Sequence, residues 1–490
     1  MRLAKTTNKE KKMKVSVRDL INQKRNLRKQ AEQFYTLSAK EYATFTDETG
    51  HHVYIQIRPT LKLYAPDNGG DAAKYYQVIS SFTKITSAIT TRFGGDLLEA
   101  QGNLIHCFFS GDSNDQESQN RLIEFGQVLS TAINAHVRPI CQDAWNGYAM
   151  ASDHGRAILV AGENDSLVSL GPCANNPAKR IHSKDSKNGV PSGEFHLRQS
   201  HGEWRKVRLI SMFKEVNEHE GIYKLAHLIA EQVSTQSPDV IHLSQESIPG
   251  YLETGFQQPA TLQAHIARAD MHNFTRRVKE AFEQGTEQEI RKLAIEFKGL
   301  MQKASETNSN FQSKVIQFPW AGDCMNAILL ASDEGYEYDR SSISADYGAY
   351  WHENMTTRKS HHDEVSWTIG CAGGGAINEA NGYILIGNVD ADGRSFTVVA
   401  GWGIAHSLKA QENNDANEYD TVIPDCDYST LNSSLQKLFT PCKKDTFDKH
   451  RHYKSSELTA DKVSKALILG ASVQTVTQDR PAISPYCSHY

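Results

Sequence analysis

Two aspartates carry the sharpest chemical signal in this 490-residue chain. Asp270 stands in Ala267-Arg268-Ala269-Asp270-Met271-His272-Asn273-Phe274-Thr275, where a strand pattern gives way to a helical one. Asp323 follows 53 residues later, in Trp320-Ala321-Gly322-Asp323, at the tip of an expected hairpin. Carboxylates at the ends of adjacent strands can hold a pair of divalent cations, and Mg²⁺ or Mn²⁺ suits an all-oxygen ligand set. The turn from Asp270 to Thr275 opens a helix, whose free N–H groups suit a phosphate chain. That makes His272, Asn273, Phe274 and Thr275 candidate substrate-binding residues. Gly322 allows a tight turn and close approach of a ligand to the backbone.

The first half of the chain repeats the pattern with the charge removed. Val53-Tyr54-Ile55-Gln56-Ile57 puts Gln56 at the place of the first aspartate. Ala100-Gln101-Gly102-Asn103-Leu104 puts Asn103 at the place of the second, 47 residues on. Neutral amides do not neutralise two divalent cations, so this half is not expected to bind metal by itself. It has what the second half lacks. Leu170-Gly171-Pro172-Cys173-Ala174-Asn175-Asn176-Pro177-Ala178-Lys179-Arg180 sets Asn175 and Lys179 four residues apart, on one face of a helix. A slip of one residue pairs Asn176 with Arg180 instead, and both registers remain open. The matching stretch of the second half, residues 401–411, has no asparagine four residues before a basic one.

These motifs resemble those of the class III nucleotidyl cyclases. Asp270 to Thr275 is similar to that family's D-x-x-G-F-T turn, with Asn273 replacing the glycine, and Gly322-Asp323 is similar to its Gly-Asp hairpin. Ala151-Ser152-Asp153-His154-Gly155 resembles its R-x-G-I-x-x-G strand, and residues 170–180 its G-x-x-x-N-x-A-A-R segment. The resemblance spans about residues 50–210 and 263–411. It implies an α+β fold: two tandem cyclase-like domains, each a mixed sheet with helices packed on it, meeting head to tail as an intramolecular pseudo-dimer. One complete site would then form at the interface. The implied metal set is Asp270, Met271 and Asp323, holding two divalent cations. Asn175 would orient a ribose, and Lys179 or Arg180 would meet charge on the α-phosphate as the 3′-hydroxyl attacks and pyrophosphate leaves. The positions that read a purine in this family hold Glu99 and Val168, and neither matches. A carboxylate such as Glu99 can accept from the cytosine amino group. The pattern is similar to the pyrimidine cyclases of the bacterial Pycsar anti-phage systems. That implies CTP ahead of UTP, and a companion effector reached through the cyclic product. One rival is a diguanylate cyclase, from Arg92-Phe93-Gly94-Gly95-Asp96-Leu97-Leu98, which lacks the acid needed at Leu97. The other is a scaffold with two dead domains, which Asp270 and Asp323 oppose.

To position these residues, the chain must supply one order of elements twice. In the first half, strands are expected over 53–57, on either side of Gln101-Gly102-Asn103, and over 148–160, 167–170 and 202–210. Helices are expected over 75–92, 122–135 and 176–182. The second half repeats this with strands at 264–269, 314–318, 325–330, 366–371, 382–388 and 397–399, and helices from 274, 287, 342 and 405. The expected divisions are an N-terminal helical segment over 1–45, domains over 46–214 and 263–415, a helical connector over 215–262, and a polar region over 416–490 without an assignable fold. A 39% apolar content supplies real cores, and a formal net charge of −5 argues against a nucleic-acid or membrane-surface binder. No apolar run is long enough to span a bilayer, and the N-terminus lacks a secretory pattern. Eight scattered cysteines without a CxxC pair point to a reduced, cytoplasmic protein without structural zinc. His361-His362-Asp363 and His450 to His452 read as solvated loops, and Gly373-Gly374-Gly375 as a turn rather than a phosphate loop.

Overall fold

The computed structural model describes residues 45–59, 70–111, 116–161, 167–183, 189–198, 202–209, 220–233, 238–244, 247–256, 258–311, 315–330, 337–356, 365–373, 383–413, 415–443 and 450–474. Residues 1–44, the His361-His362-Asp363 run and Gly374-Gly375 lie outside them. In the first half, strands β1 (Phe45–Pro59), β2 (Asp96–Gln101), β3 (Leu104–Ser110), β4 (Trp145–Ala161), β5 (Leu167–Leu170), β6 (Glu194–Arg198) and β7 (Arg205–Arg208) alternate with helices α1 (Gly70–Arg92), α2 (Gln116–Ala132) and α3 (Pro172–His182). Helix α4 (Glu220–Gln232) and strands β8 (Ile241–His242) and β9 (Ala260–Gln263) follow. The second half supplies β10 (His265–Met271), α5 (Phe274–Gln284), α6 (Glu287–Ser309), β11 (Val315–Ala321), β12 (Cys324–Leu329), α7 (Glu337–Met355), β13 (Trp367–Ala372), β14 (Tyr383–Ala391), β15 (Arg394–Gly401) and α8 (Trp402–Gln411). Beyond these lie β16 (Thr421–Pro424), α9 (Asp425–Thr430), β17 (Thr440–Pro441), β18 (His452–Ser455) and α10 (Ala460–Gln474). No helix among the described residues is long and apolar enough to cross a membrane.

Alternation sets the faces of the sheets. On β1, Val53, Ile55 and Ile57 are fully buried in the core beneath the helices. His52, Tyr54 and Gln56 therefore occupy the opposite face. The first sheet runs β2-β3-β1-β4-β6-β7, and the second β11-β12-β10-β13-β16-β18-β17. The first six strands of each order correspond, down to the parallel pairs β4–β6 and β13–β16, while β5 pairs β4 in the first sheet and β17 extends the second. Register confirms the match made from motifs. Gln56 lies opposite Leu104 and Ala149, as Asp270 lies opposite Cys324 and Thr368.

Two regions differ from expectation. The connector contributes β8 and β9 to a third sheet, of order β15-β14-β9-β8. The polar region after 415 supplies β16, β17 and β18 to the second sheet. Its strands are only two to four residues long, too short to produce a visible alternation against polar neighbours.

The halves exchange arms. Ile158, Val160, Val168 and Leu170, from the β4–β5 arm, are buried in the second half's core beside Phe297 and Trp320. Leu385, Val389, Phe396 and Val398, from β14–β15, are buried in the first half's core with Phe82 and Ile85 of α1. Arg156 on β4 also bridges Asp47 at 2.6 Å and Glu287 at 2.5 Å, joining the arm to the start of α6.

Candidate functional site

Asp270 ends β10 next to the β11–β12 hairpin, and the Met271 N–H donates to the Asp323 carbonyl at 3.3 Å. This bond holds the two aspartates together. Gly322 turns the hairpin at φ 62°, and Asn273 caps α5 at φ 61°. Asparagine is among the few residues other than glycine that visit this left-handed region readily, which explains how it replaces glycine in the turn. The Thr275 hydroxyl lies 3.5 Å from Asp323 Oδ2. Burial first, then the Asp323 carboxylate, push Asp270 up to about 7. Burial also raises Asp323, while its own backbone N–H, Lys179, Thr275 and Arg268 pull it down. Two acids that resist ionising together form a site suited to a cation.

Not every predicted residue presents its side chain here. Met271 and Phe274 are buried in the second half's core, Phe274 stacked 4.9 Å from Phe297. Only their main chains remain for a metal or a phosphate. The His272 ring bonds to the Thr368 hydroxyl, and its N–H donates to the Ser366 carbonyl at 3.0 Å.

The first half delivers its helix to these aspartates. Helix α3 starts at Pro172, earlier than the expected 176, so Asn175 lies within its first turns. Lys179 is exposed on α3, and its charge acts on Asp323, pulling that carboxyl down. Arg180 turns away: its Nε donates to His196 Nδ1 at 3.3 Å, and its guanidinium lies 5.3 Å over Trp204. Asn176 donates to Asp153 Oδ2 at 2.7 Å. The two open registers are thus separated geometrically. Asn176 and Arg180 are engaged within the first half, whereas the charge of Lys179 acts on Asp323.

Glu99 is 6% exposed and bonded to the Gln101 amide. Burial pushes its carboxyl up to about 8, with the Gln101 bond and the charge of Arg268 opposing. Val168 is not its companion, because that side chain lies in the second half's core. Ser169 instead turns to the other side, 3.4 Å from His52 Nδ1. His52 Nδ1 lies 3.0 Å from His106 Nε2, and Tyr54 stacks on His106 at 4.1 Å. Sequence reading missed this group. The signal was the i, i+2 spacing of His52, Tyr54 and Gln56, which puts all three on the aspartate-equivalent face.

Arg268 was also missed. It stands two residues before Asp270, hence on the same face of β10. Its Nη1 donates to Asn326 Oδ1 at 3.2 Å, and its charge reaches Asp270, Asp323 and Glu99. Arg268→Gln should therefore raise Asp270 further. The acid limb of any Mg²⁺-dependent activity or binding should then move to higher pH by roughly one unit. A pH titration of Mg²⁺ binding checks this, and an unmoved or acid-shifted limb contradicts it.

The equivalent place in the first half is filled by its own groups. Asn103 Nδ2 donates to the Ile57 carbonyl at 3.0 Å. Gln56 Oε1 accepts from Arg58 Nε at 3.4 Å, and Arg58 also donates to the Ile181 and Val190 carbonyls. A guanidinium there opposes cation binding. Helices α3 and α8 both follow a glycine N-cap, so Lys409 corresponds to Lys179 and Ala405 to Asn175. Lys409 is paired with Glu412.

No protein-family model and no curated protein matches this chain. Solved structures do. A class III adenylyl cyclase-like ATP-binding protein from Pseudomonas aeruginosa overlays with a TM-score of 0.62 at 15% identity, across 87% of this chain and 92% of its own. The chain has a class III cyclase-like fold. This is the α+β arrangement that the motifs led us to expect. Two smaller structures overlap less: the dimeric guanylyl cyclase domain of RhoGC from Blastocladiella emersonii (TM-score 0.30, 12% identity) and the adenylyl cyclase CyaB from P. aeruginosa (TM-score 0.29, 14% identity). Each covers 40% of this chain, with 97% and 95% of its own length.

Proposed function

We propose that this chain is a nucleotide cyclase that converts a pyrimidine nucleoside triphosphate, CTP ahead of UTP, into its 3′,5′-cyclic monophosphate and pyrophosphate. The observation that carries the reading is the pull that the charge of Lys179, from one half, exerts on Asp323, from the other. On this reading a metal-type acid pair and a phosphate-type cation are shared between the two halves.

Asp270 and Asp323 fit a pair of divalent cations, Mg²⁺ or Mn²⁺, with the Met271 main chain beside them. Such cations, when bound, lower the pKa of the 3′-hydroxyl and neutralise the phosphates. Lys179 meets the charge that develops on the α-phosphate oxygens. Asn175 holds the ribose, which shortens the search for an in-line attack. The start of α5, at Asn273 to Thr275, offers main-chain N–H groups to the phosphate chain. Glu99 with a proton presents a donor and an acceptor side by side, which matches N3 and the amino group of cytosine. Uracil matches it with the roles exchanged, so UTP is the competing substrate. The motif resemblance extends the proposal to a cytoplasmic anti-phage messenger that acts on a companion effector.

A second reading is nucleotide binding without turnover. It is favoured by the Pseudomonas neighbour, whose description is of an ATP-binding protein. One experiment separates the readings: purified protein is incubated with each of the four nucleoside triphosphates and Mn²⁺, and products are resolved by mass. Cyclic CMP from CTP is the expected result. Binding with no cyclic product from any of the four leaves the second reading, and cyclic di-GMP from GTP removes both.

A further inference from the structure

The segment around His450 to His452 is not a solvated loop. His450 is 9% exposed and His452 is fully buried. Their surroundings come from three places in the chain. Asp425 and Cys426 open α9 at the end of β16. Trp402 and His406 lie on α8. His450 and His452 belong to the segment entering β18. One ligand-type atom from each of Asp425, Cys426 and His450 falls within 4.8 Å of the others. The His406 ring lies 5.1 Å from the His450 ring and stacks 3.6 Å on Trp402.

We propose that Asp425, Cys426 and His450 form a transition-metal site of the Zn²⁺ class, separate from the Asp270–Asp323 pair. The donor set carries the choice of metal. A thiolate with an imidazole suits Zn²⁺, whereas Mg²⁺ and Mn²⁺ take oxygen ligands. Tetrahedral bonds of about 2.0–2.3 Å put neighbouring ligand atoms about 3.2–3.8 Å apart, so on binding metal the Asp425–His450 pair, at 2.6 Å, would open and wider pairs would close by at most about 1 Å. Cys426 is 3% exposed, as a structural ligand would be, while the Asp425 side chain is 38% exposed and leaves an entry path. The backbone is already set for closure: the Asp425 N–H donates to the Arg451 carbonyl at 2.8 Å. His450 Nδ1 lies 2.6 Å from Asp425 Oδ1, so these groups approach each other without metal.

The site would clamp the start of α9 to the segment entering β18, against the Trp402 and His406 rings of α8. The far end of α8 carries Lys409, paired with Glu412, whose charge acts on Asp270. The metal would thus brace the second half's share of the candidate active site without taking part in it. This inference does not depend on the cyclase reading.

The test uses full-length protein stripped of metal and titrated with Co²⁺. The expected result is a thiolate-to-cobalt charge-transfer band that saturates at one equivalent of thiolate-bound Co²⁺ and is bleached by added Zn²⁺. Asp270→Ala keeps the band, and Cys426→Ser loses it. Should Cys426→Ser not fold, His450→Gln takes its place, with its fold checked by circular dichroism, and is expected to alter or lose the band. Absence of the band in the wild type at saturating Co²⁺ overturns the proposal. So does a band that survives unchanged in whichever of these two variants folds.

Discussion

Asp323→Ala and Lys179→Ala, made in opposite halves of the chain, are each expected to lower cyclic nucleotide formation by more than about 10²-fold. Gln56→Ala and Asn103→Ala are expected to leave most of it. The contrast follows from where the charges are. Asp323 is a half-buried acid on which the charge of Lys179 acts, whereas Asn103 is turned back on the Ile57 carbonyl and Gln56 faces Arg58. A loss of 10²-fold corresponds to about 2.7 kcal/mol of transition-state stabilisation, within the range of one preorganised charge in a dry site. Initial rates with mass-resolved product measure this, with circular dichroism as the folding control. An inactive but folded Gln56→Ala would break the one-site arrangement.

The same carboxylates should cost stability when no cation is bound. Asp270 titrates at about 7 in the fold against an ordinary value of 3.8. The folded state therefore binds the proton more tightly than the unfolded chain does. The cost of ionising the group is absent below about pH 4, grows between there and pH 7, and is full above. Asp270→Asn should accordingly raise the metal-free melting temperature at pH 8, leave it little changed near pH 4, and remove the stabilisation that Mg²⁺ gives the parent. Loss of function with a gain in stability is the signature of a functional acid. A melting temperature lowered at pH 8 would mark Asp270 as a structural residue instead.

Leu170→Ala is expected to destabilise the second half of the molecule, although Leu170 belongs to the first. Its side chain is 3% exposed in the core that holds Trp320, Trp351 and Trp367. Truncating a buried leucine costs about 2–5 kcal/mol, a large share of the net 5–15 kcal/mol that holds a typical protein folded. Urea unfolding, followed by the fluorescence of those tryptophans, should show an earlier midpoint. Leu385→Ala is the reciprocal case, since Leu385 is buried in the first half's core. A tryptophan transition unmoved by Leu170→Ala would contradict the exchange of arms. The exchange also explains how one site can be completed across the interface. Each arm is buried in the other half's core, which holds the first half's α3 against the second half.

Much of this was legible in the residues because it is local. A strand end, a left-handed turn at Asn273 and a glycine-tipped hairpin at Gly322 are written in short stretches of chain. So is the replacement of both aspartates by Gln56 and Asn103 in the first half. The i, i+4 spacing placed Asn175 with Lys179, or Asn176 with Arg180, each pair on one helix face. Which pair meets the aspartates was not local. It depends on how α3 is rotated against the second half, and packing of Ile181, Ala174 and Cys173 decides that. The same limit applied to β5. Alternation says that Val168 and Ser169 face opposite ways, but only the packed arm shows Val168 entering a core and Ser169 facing His52. His450 and His452 looked solvated because their neighbours in sequence are polar. Their neighbours in space, Asp425, Cys426 and His406, are brought to them by a sheet whose strands are too short to announce themselves. Sequence alone determined the chemical inventory and the local turns that aim it. The tertiary structure decided which groups share a site, because burial and charge interactions act through space over distances that spacing along the chain does not encode.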